Sequence, residues 1–357
     1  MAEVKGTQKL TPKLDILVNG AALSLPAKFA MEKVEVSEDL EALGMFSFQI
    51  IAWDVAKNQV TWIDSDLFDI GNQVEIKMGY VNSLKTLILG EIIGLEPEFS
   101  QESMSSLVVR GYDLGHRLMR GRKTRSFRQM KDSNIVEQIA RDFSISVKAE
   151  DTKVTLEYVL QHNQTDLEFI QDRAKRIGYE VIFENKTLNF RPKQNNKAKV
   201  LTLKYPDDLL EFSPRLSTVN QAGKVQIRAW DFKEKKPIIH QTLADNQKSA
   251  MGKTSGAIAV TREFGRVTQA IVTQPVHNKE EATQIALGQF NEMALTYITG
   301  EGTCLGNPEL RAGKAIEIAN IGKRFSGIYY VTAATHTYAR EGGYQTQFTV
   351  KRDATDY

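Results

Sequence analysis

The chain has 357 residues, 46 basic against 44 acidic side chains, and a formal net charge of +2. With 41% hydrophobic and 25% charged residues it is composed like an ordinary globular protein, which excludes a disordered or membrane-embedded chain. Its length exceeds what one hydrophobic core usually serves, so two or three domains are expected.

Cys304 is the single cysteine. It excludes an internal disulfide and any thiolate zinc cluster built within one chain, and it is expected to be a buried structural thiol. The start, "MAEVKGTQKLTPKLD", has no apolar signal-peptide core, and no later run approaches the ~18–20 apolar residues of a membrane helix. The chain is therefore expected to be made and assembled in the cytoplasm, with no integral membrane segment.

In chain order, "KLDILVNG", "FAMEKVEVS", "GMFSFQIIAW", "NQVEIKMGY", "KTLILGEIIGLEPEF" and "SLVVRGYD" read as strands, because short β-branched and aromatic runs are separated by Gly, Asn and Pro. Such a succession predicts a closed or partly closed barrel over residues 1–112. The period then changes. "DSNIVEQIARDFSI" places Ile135, Ile139 and Phe143 at helical spacing, and "TDLEFIQDRAKRIGYE" carries a capping box, Thr165 with Glu168, and a stop at Gly178. With the hairpin "YEVIFENKTLNFRP", turning at Asn185 and Lys186, these predict a small α/β insertion over 113–195.

Strand character returns in "AKVLTLKY", "FSPRLSTVNQAGKVQIRAWD", "GKAIEIANIG", "GIYYVTAATHTYA" and "YQTQFTVKRD", predicting a second barrel over 196–357. Within it, the Gly/Ser/Thr/Lys-rich connector 233–273 has no sustained period and is expected to be mobile or ordered by a partner. A helix over 279–298 follows, capped by Asn278 and Glu281, with Ala282, Ile285, Gln289 and Met293 on one line. An internal repeat links the barrels: "FDIGNQVEI" (68–76) and "LRAGKAIEI" (310–318) share a pattern, and strands beginning at Gly90 and Gly327 follow them. The fold class is thus mainly β, two related barrels in tandem plus an α/β unit. A cyclic trimer of such a chain would present six similar barrels in a ring.

Signals for chemistry are weak. The five histidines, 116, 162, 240, 277 and 336, stand at no metal-motif spacing, and there is no G-x-S-x-G nucleophile elbow. "GEGTCLGNP" follows a helix and leads into a strand, the reverse of a phosphate loop, so its glycines are expected to serve turns. Asp207 with Asp208 and Glu280 with Glu281 fit a turn and a first helical turn better than an acid–base pair. No enzyme activity, cofactor, metal or small-molecule substrate is expected.

The segment "GYDLGHRLMRGRKTRSFRQMKDS" gathers His116, Arg117, Arg120, Arg122, Lys123, Arg125, Arg128 and Lys131. Such density suits a nucleic-acid-binding module over 116–131. Against this, Phe127 is the only aromatic residue between Tyr112 and Phe143, and no recognition helix accompanies the cluster. A solvated basic edge or an inter-subunit face meeting carboxylates is favoured, with His116, Arg117, Arg120, Arg122, Lys123 and Arg125 as candidate interface residues.

From Gly111 to Phe348 the order of segments resembles the late control D family, tail hubs of contractile phages, and the hub portion of valine-glycine repeat spike proteins of type VI secretion. The resemblance rests on "GYDLGHRLMRGRKTRSF", "DSNIVEQIARDF", "YVLQHNQTDLEFIQDRAKRIGYEVIFENKTLNFRP", "VQIRAWD" and "GEGTCLGNPELRAGKAIEIANIGKRFSGIYYVTAATHTYAREGGYQTQF". It implies two related barrels with an α/β insertion, trimerising into a pseudo-sixfold ring. Such a ring joins a hexameric inner tube to a trimeric spike within a baseplate. The implied partners are further copies of the chain, an inner tube protein, a spike and other baseplate proteins. The implied setting is a virion tail or a phage-like contractile injection particle. Because the sequence stops at Tyr357, the spike is expected as a separate polypeptide. The basic segment, where the first barrel passes into the insertion, is then expected to meet acidic surfaces of a neighbouring hub or baseplate chain.

Overall fold

A computed structural model describes residues 11–81, 83–102, 104–231, 234–243, 251–272 and 275–357. The alternation read from the sequence builds strands with one apolar and one polar face. In Met45–Ile51, for example, Phe46, Phe48 and Ile50 are buried while Ser47 and Gln49 face the other way. The first six long strands, in chain order, are Pro12–Val18, Met31–Asp39, Met45–Ile51, Gln73–Tyr80, Ser83–Glu98 and Ser106–Asp113. They lie side by side in the order first, fourth, fifth, sixth, third, second. Val34, Val36, Phe46, Phe48, Val74, Ile76 and Val109 fill the core beneath them.

The last β-rich part repeats this layout. Thr202–Lys204, Leu209–Leu216, Ile298–Leu305, Ala315–Ala319, Gly327–Ala339 and Gly343–Arg352 are arranged in the same spatial order. Their core contains Leu203, Ile316, Ile318, Tyr329, Val331 and Phe348. Irregularities coincide too. The fifth–sixth ladder slips between Ile92 and Gly94 in the first copy and between Val331 and Ala333 in the second. The second–third ladder slips between Met31 and Lys33, and again between Leu209 and Glu211. Bulges are positional features of a fold, so two matched bulges in a shared strand order establish the duplication. The copies differ at the first strand, antiparallel to the fourth in one and parallel in the other. By register, Tyr329 is the counterpart of Gly90, two residues from the glycine alignment that the sequence suggests.

The two repeats form one 13-stranded sheet, because Met31–Asp39 pairs antiparallel with the outer half of Gly327–Ala339. Two excursions leave this frame. Residues 114–192 follow the first repeat and hold helices α2 (Asp132–Asp142) and α3 (Asp166–Arg176); α1 (Leu25–Ala30) is a single short turn in the first repeat. The Thr165–Glu168 capping box forms, and Gly178 (φ +71°) and Asn185 (φ +56°) take the left-handed conformations their positions demand.

Residues 217–297 leave between the second and third strands of the second repeat, where the first repeat has only the turn 40–44. The described part of the connector holds strands and a helix: Lys236–Leu243 and Thr268–Ile271 flank Lys224–Asp231, and α4 spans Gly256–Phe264. Residues 244–250 lie outside the described residues. α5 (Lys279–Ala294) is capped by Asn278, and the following segment enters the strand Ile298–Leu305. This excursion shares its core with the insertion: Ile227, Ile238, Ala282, Ile285 and Ala286 belong to the apolar cluster of Ile139, Ile170 and Phe190.

"GEGTCLGNP" therefore contributes to a strand. Gly300 and Gly302 sit in it without positive φ; a Cβ on either would come within 2.7 Å of the Phe212 or Phe348 ring. The glycines clear space for those rings, which stack at 6.2 Å. Cys304 is fully buried on the core face, where burial pushes its thiol up to about 12.

Candidate assembly surfaces

The basic segment spans the turn Leu114–Met119 and the strand Lys123–Met130, and its own chain supplies most of its counter-ions. Glu91, 8% exposed, receives His116 Nε2 at 2.8 Å and Arg117 Nε at 3.1 Å. Burial alone would raise the Glu91 carboxyl, but Arg117 and His116 outweigh it and hold it below its usual range. Arg122 bonds Asn163 O (2.6 Å) and Glu168 (3.1 Å), reinforcing the α3 cap.

Asp166, 1% exposed, accepts from Lys123 (2.6 Å), Arg125 (2.6 Å) and Gln161 (2.9 Å). Lys123 also lies over the Phe143 ring and Arg125 over Phe127. Lys131 bonds Asp151. The structure divides the candidate residues: His116 and Arg117 meet Glu91 of the first repeat, whereas Arg122, Lys123 and Arg125 pair within the insertion. His116 is buried, while Arg117, Arg120 and Arg122 reach the surface.

Asp113 closes the junction between the first repeat and the insertion. Buried at the end of the first repeat, it accepts from Gly44 N–H (2.7 Å) and Gly115 N–H (2.8 Å). Burial pushes its carboxyl up to about 7 against these bonds, with Glu38 adding to the rise.

The junction between repeats is also buried and polar. Arg311 forks onto Glu38 and donates to Thr86 O. His336, fully buried, faces Leu310 O through Nε2 (3.0 Å) and the Tyr344 hydroxyl through Nδ1 (2.8 Å). A carbonyl can only accept, so Nε2 carries the proton and Nδ1 accepts. Burial and then Arg311 push the imidazole down to about 3, so it is neutral at physiological pH.

Several sheet edges have no strand partner among the described residues. Two of them are the outer side of Leu209–Leu216, at one end of the sheet, and residues 94–98, beyond the reach of the neighbouring Gln73–Tyr80 strand. Each contains a proline, Pro214 and Pro97. Ser217 N–H donates to Tyr297 O, so Pro214, three residues earlier in that ladder, turns its nitrogen to the open side. Asp113 N–H donates to Gly44 O, which sends residues 107, 109 and 111 toward Met45–Ile51. Pro97, opposite Leu107, therefore also turns its nitrogen outward. The sequence signal for these edges was the proline inside each strand run, since proline is confined to edges and bulges.

Among the described residues no group of three or more His, Cys, Asp or Glu side chains is placed to hold a metal ion, and no helix is long and apolar enough to cross a membrane. A groove of about 750 Å³ runs between α5 and the loop 151–155.

The chain is similar in structure to a 43 kDa tail protein of prophage MuSo2 from Shewanella oneidensis: TM-score 0.71, 15% identity, 96% of this chain and 98% of that one covered. A tail protein from Neisseria meningitidis MC58 aligns with TM-score 0.69 and 14% identity over 96% of this chain and 97% of that one. An E. coli component of the type VI secretion system, described as structurally similar to bacteriophage T4 tail proteins, aligns with TM-score 0.61 and 15% identity over 94% and 76%. No curated protein matches the chain in sequence. The fold is that of tail proteins, in agreement with the late control D resemblance. With residues 8–340 matched by the family described as the Alg8 N-terminal domain, the chain belongs to that family.

Proposed function

We propose that this protein is a structural hub of a contractile tail or phage-like injection baseplate, a trimeric symmetry adaptor joining a hexameric inner tube to a trimeric spike. The observation that carries this reading is the duplicated six-strand repeat, whose copies are joined head to tail in one sheet. A head-to-tail contact leaves one half of itself unused at each end, and such contacts close into rings when the rotation permits. Three copies would present six equivalent repeats to a sixfold tube and a threefold face to a spike. The protein then works by shape and symmetry, without catalysis. Other baseplate chains would meet the basic segment where its charge reaches solvent, at Arg120, Arg122 and Arg128.

Native mass spectrometry at low and moderate salt tests the reading. The expected result is a species near three times 40.1 kDa. A monomer under every condition, carrying nucleic acid that salt removes, would replace it with a nucleic-acid-binding function for residues 116–131. Arg120→Glu, at a side chain with no carboxylate partner among the described residues, is expected to leave the trimer intact and impair particle assembly. Normal assembly by that variant would remove the basic segment from the interface.

A further inference from the structure

The three-stranded sheet of the second excursion is apolar on both faces. Lys224–Asp231 is its middle strand, with Lys236–Leu243 antiparallel on one side and Thr268–Ile271 parallel on the other. Val225, Ile227 and Ile238 point to the inner face, where they join the cores shared with α5. A strand with one face in water carries polar residues at the alternate positions. Here the alternate positions continue the apolar run: Trp230 follows Ala229, Ile239 follows Ile238 and Val272 follows Ile271. Unbroken apolar runs of this kind are the pattern of strands covered on both sides.

The outer face is nonetheless open. Trp230 is 49% exposed, Ile239 52% and Val272 64%. The register sets Trp230 beside Pro237 and Arg228 beside Ile239. Ile271 pairs with Ile227, so Val272 flanks Arg228 from the other strand and the apolar side chains form a belt around it. Arg228 donates to Gln226 Oε1 at 3.1 Å and has no carboxylate partner among the described residues. Tryptophan and arginine within an apolar patch are the side chains that dominate contacts between proteins. A cation ringed by apolar groups is also costly to cover unless a carboxylate is placed opposite it.

We infer that this face docks a second protein, a chain other than this one, which covers Trp230, Pro237, Ile239 and Val272 and sets a carboxylate on Arg228. The chemistry of the face selects this occupant. A nucleic acid strand calls for a row of cations with stacked rings, whereas the neighbours of Trp230 here are aliphatic groups and a single arginine. A symmetric contact between two copies through this face would oppose Arg228 to Arg228. The inference stands on the excursion alone and does not depend on the hub function proposed above.

Photocross-linking combined with charge reversal tests it. p-Benzoylphenylalanine is placed at Ile239 of the full chain, in the cells that make the protein. Irradiation is expected to give an adduct with another protein, and sequencing of the cross-linked peptide is expected to find an aspartate or glutamate among apolar residues. Arg228→Glu should lower the yield of that adduct roughly tenfold or more, and changing the partner's carboxylate to lysine should restore it. The same probe at Val55, exposed on the first repeat, is the control. No adduct beyond that of the control, an adduct with another copy of this chain, an adduct removed by nuclease, or one indifferent to Arg228→Glu overturns the inference. Trp230→Gln combined with Ile239→Gln, in the purified chain, separates docking from folding. Because both side chains meet water, the melting temperature is expected to move by about 2 °C or less. A larger loss would mean that the chain covers this face itself, which also overturns the inference.

Discussion

Asp113 and Asp166 show what the basic segment's neighbours do for the fold. Asp166 is buried between Lys123, Arg125 and Gln161, so removing one cation leaves a carboxylate short of a charged donor. Arg125→Ala is expected to cost about 2 kcal/mol in urea unfolding, the usual range for a hydrogen bond to a buried charge. Asp113 acts through protonation. Its folded pKa of about 7 lies above its ordinary value of 3.8, so the folded state holds a proton that the unfolded state releases between those values. That stabilisation is fully present near pH 4 and is lost as the pH rises to 7, up to about 4 kcal/mol. Unfolding at pH 5 and pH 8 should show the wild type losing stability relative to Asp113→Asn. Parallel pH profiles for the two proteins would show that the carboxyl is not protonated in the fold.

Elements of the insertion owe their ends to local chemistry and their positions to packing. Thr165→Ala removes a hydroxyl that accepts the Glu168 N–H at 3.2 Å, and a helix cap of this kind contributes about 1 kcal/mol. The meeting of α3 and α5 is set by two glycines: a Cβ on Gly288 would lie 2.4 Å from the Ile177 carbonyl carbon, and one on Gly178 would lie 2.7 Å from Gly288. Gly288→Ala is therefore expected to push the helix off the insertion at a cost of about 1–3 kcal/mol, and to lower the melting temperature. The Arg176–Glu281 ion pair at 2.7 Å spans the same contact. Hydrogen exchange should report the loosening first in α5, and an unchanged exchange pattern would mean that the contact tolerates the methyl group.

At the scale of the whole molecule, one sheet serves two repeats, and prolines interrupt two of its open edges, at Pro97 and Pro214. Replacing either with valine restores an outward N–H donor, and each variant is expected to aggregate more readily on concentration, because a repaired edge becomes a template for other strands. Light scattering over a concentration series measures this, and scattering equal to that of the wild type would show that the prolines do not guard these edges.

Elements whose signals are local were legible in the amino-acid sequence. Alternation in "MFSFQII", the Thr165–Glu168 cap, the stop at Gly178 and the turn at Asn185 depend on residues within a few positions of one another, and each is found where that pattern puts it. The duplication was legible from its best-kept strand, Val74–Ile76 against Ile316–Ile318, while its true extent emerged only from bulges and strand order, which leave no residue signature. Tertiary structure alone decided three further matters. It gave the described part of the connector strands, which gain an apolar partner in the insertion that lies far off in sequence. It placed Gly300 and Gly302 under two aromatic rings and out of any turn. It also supplied carboxylates to the basic segment from positions such as Glu91 and Asp166. A run of arginines reads as free charge along the chain; which acids face it is fixed by how distant strands and helices pack.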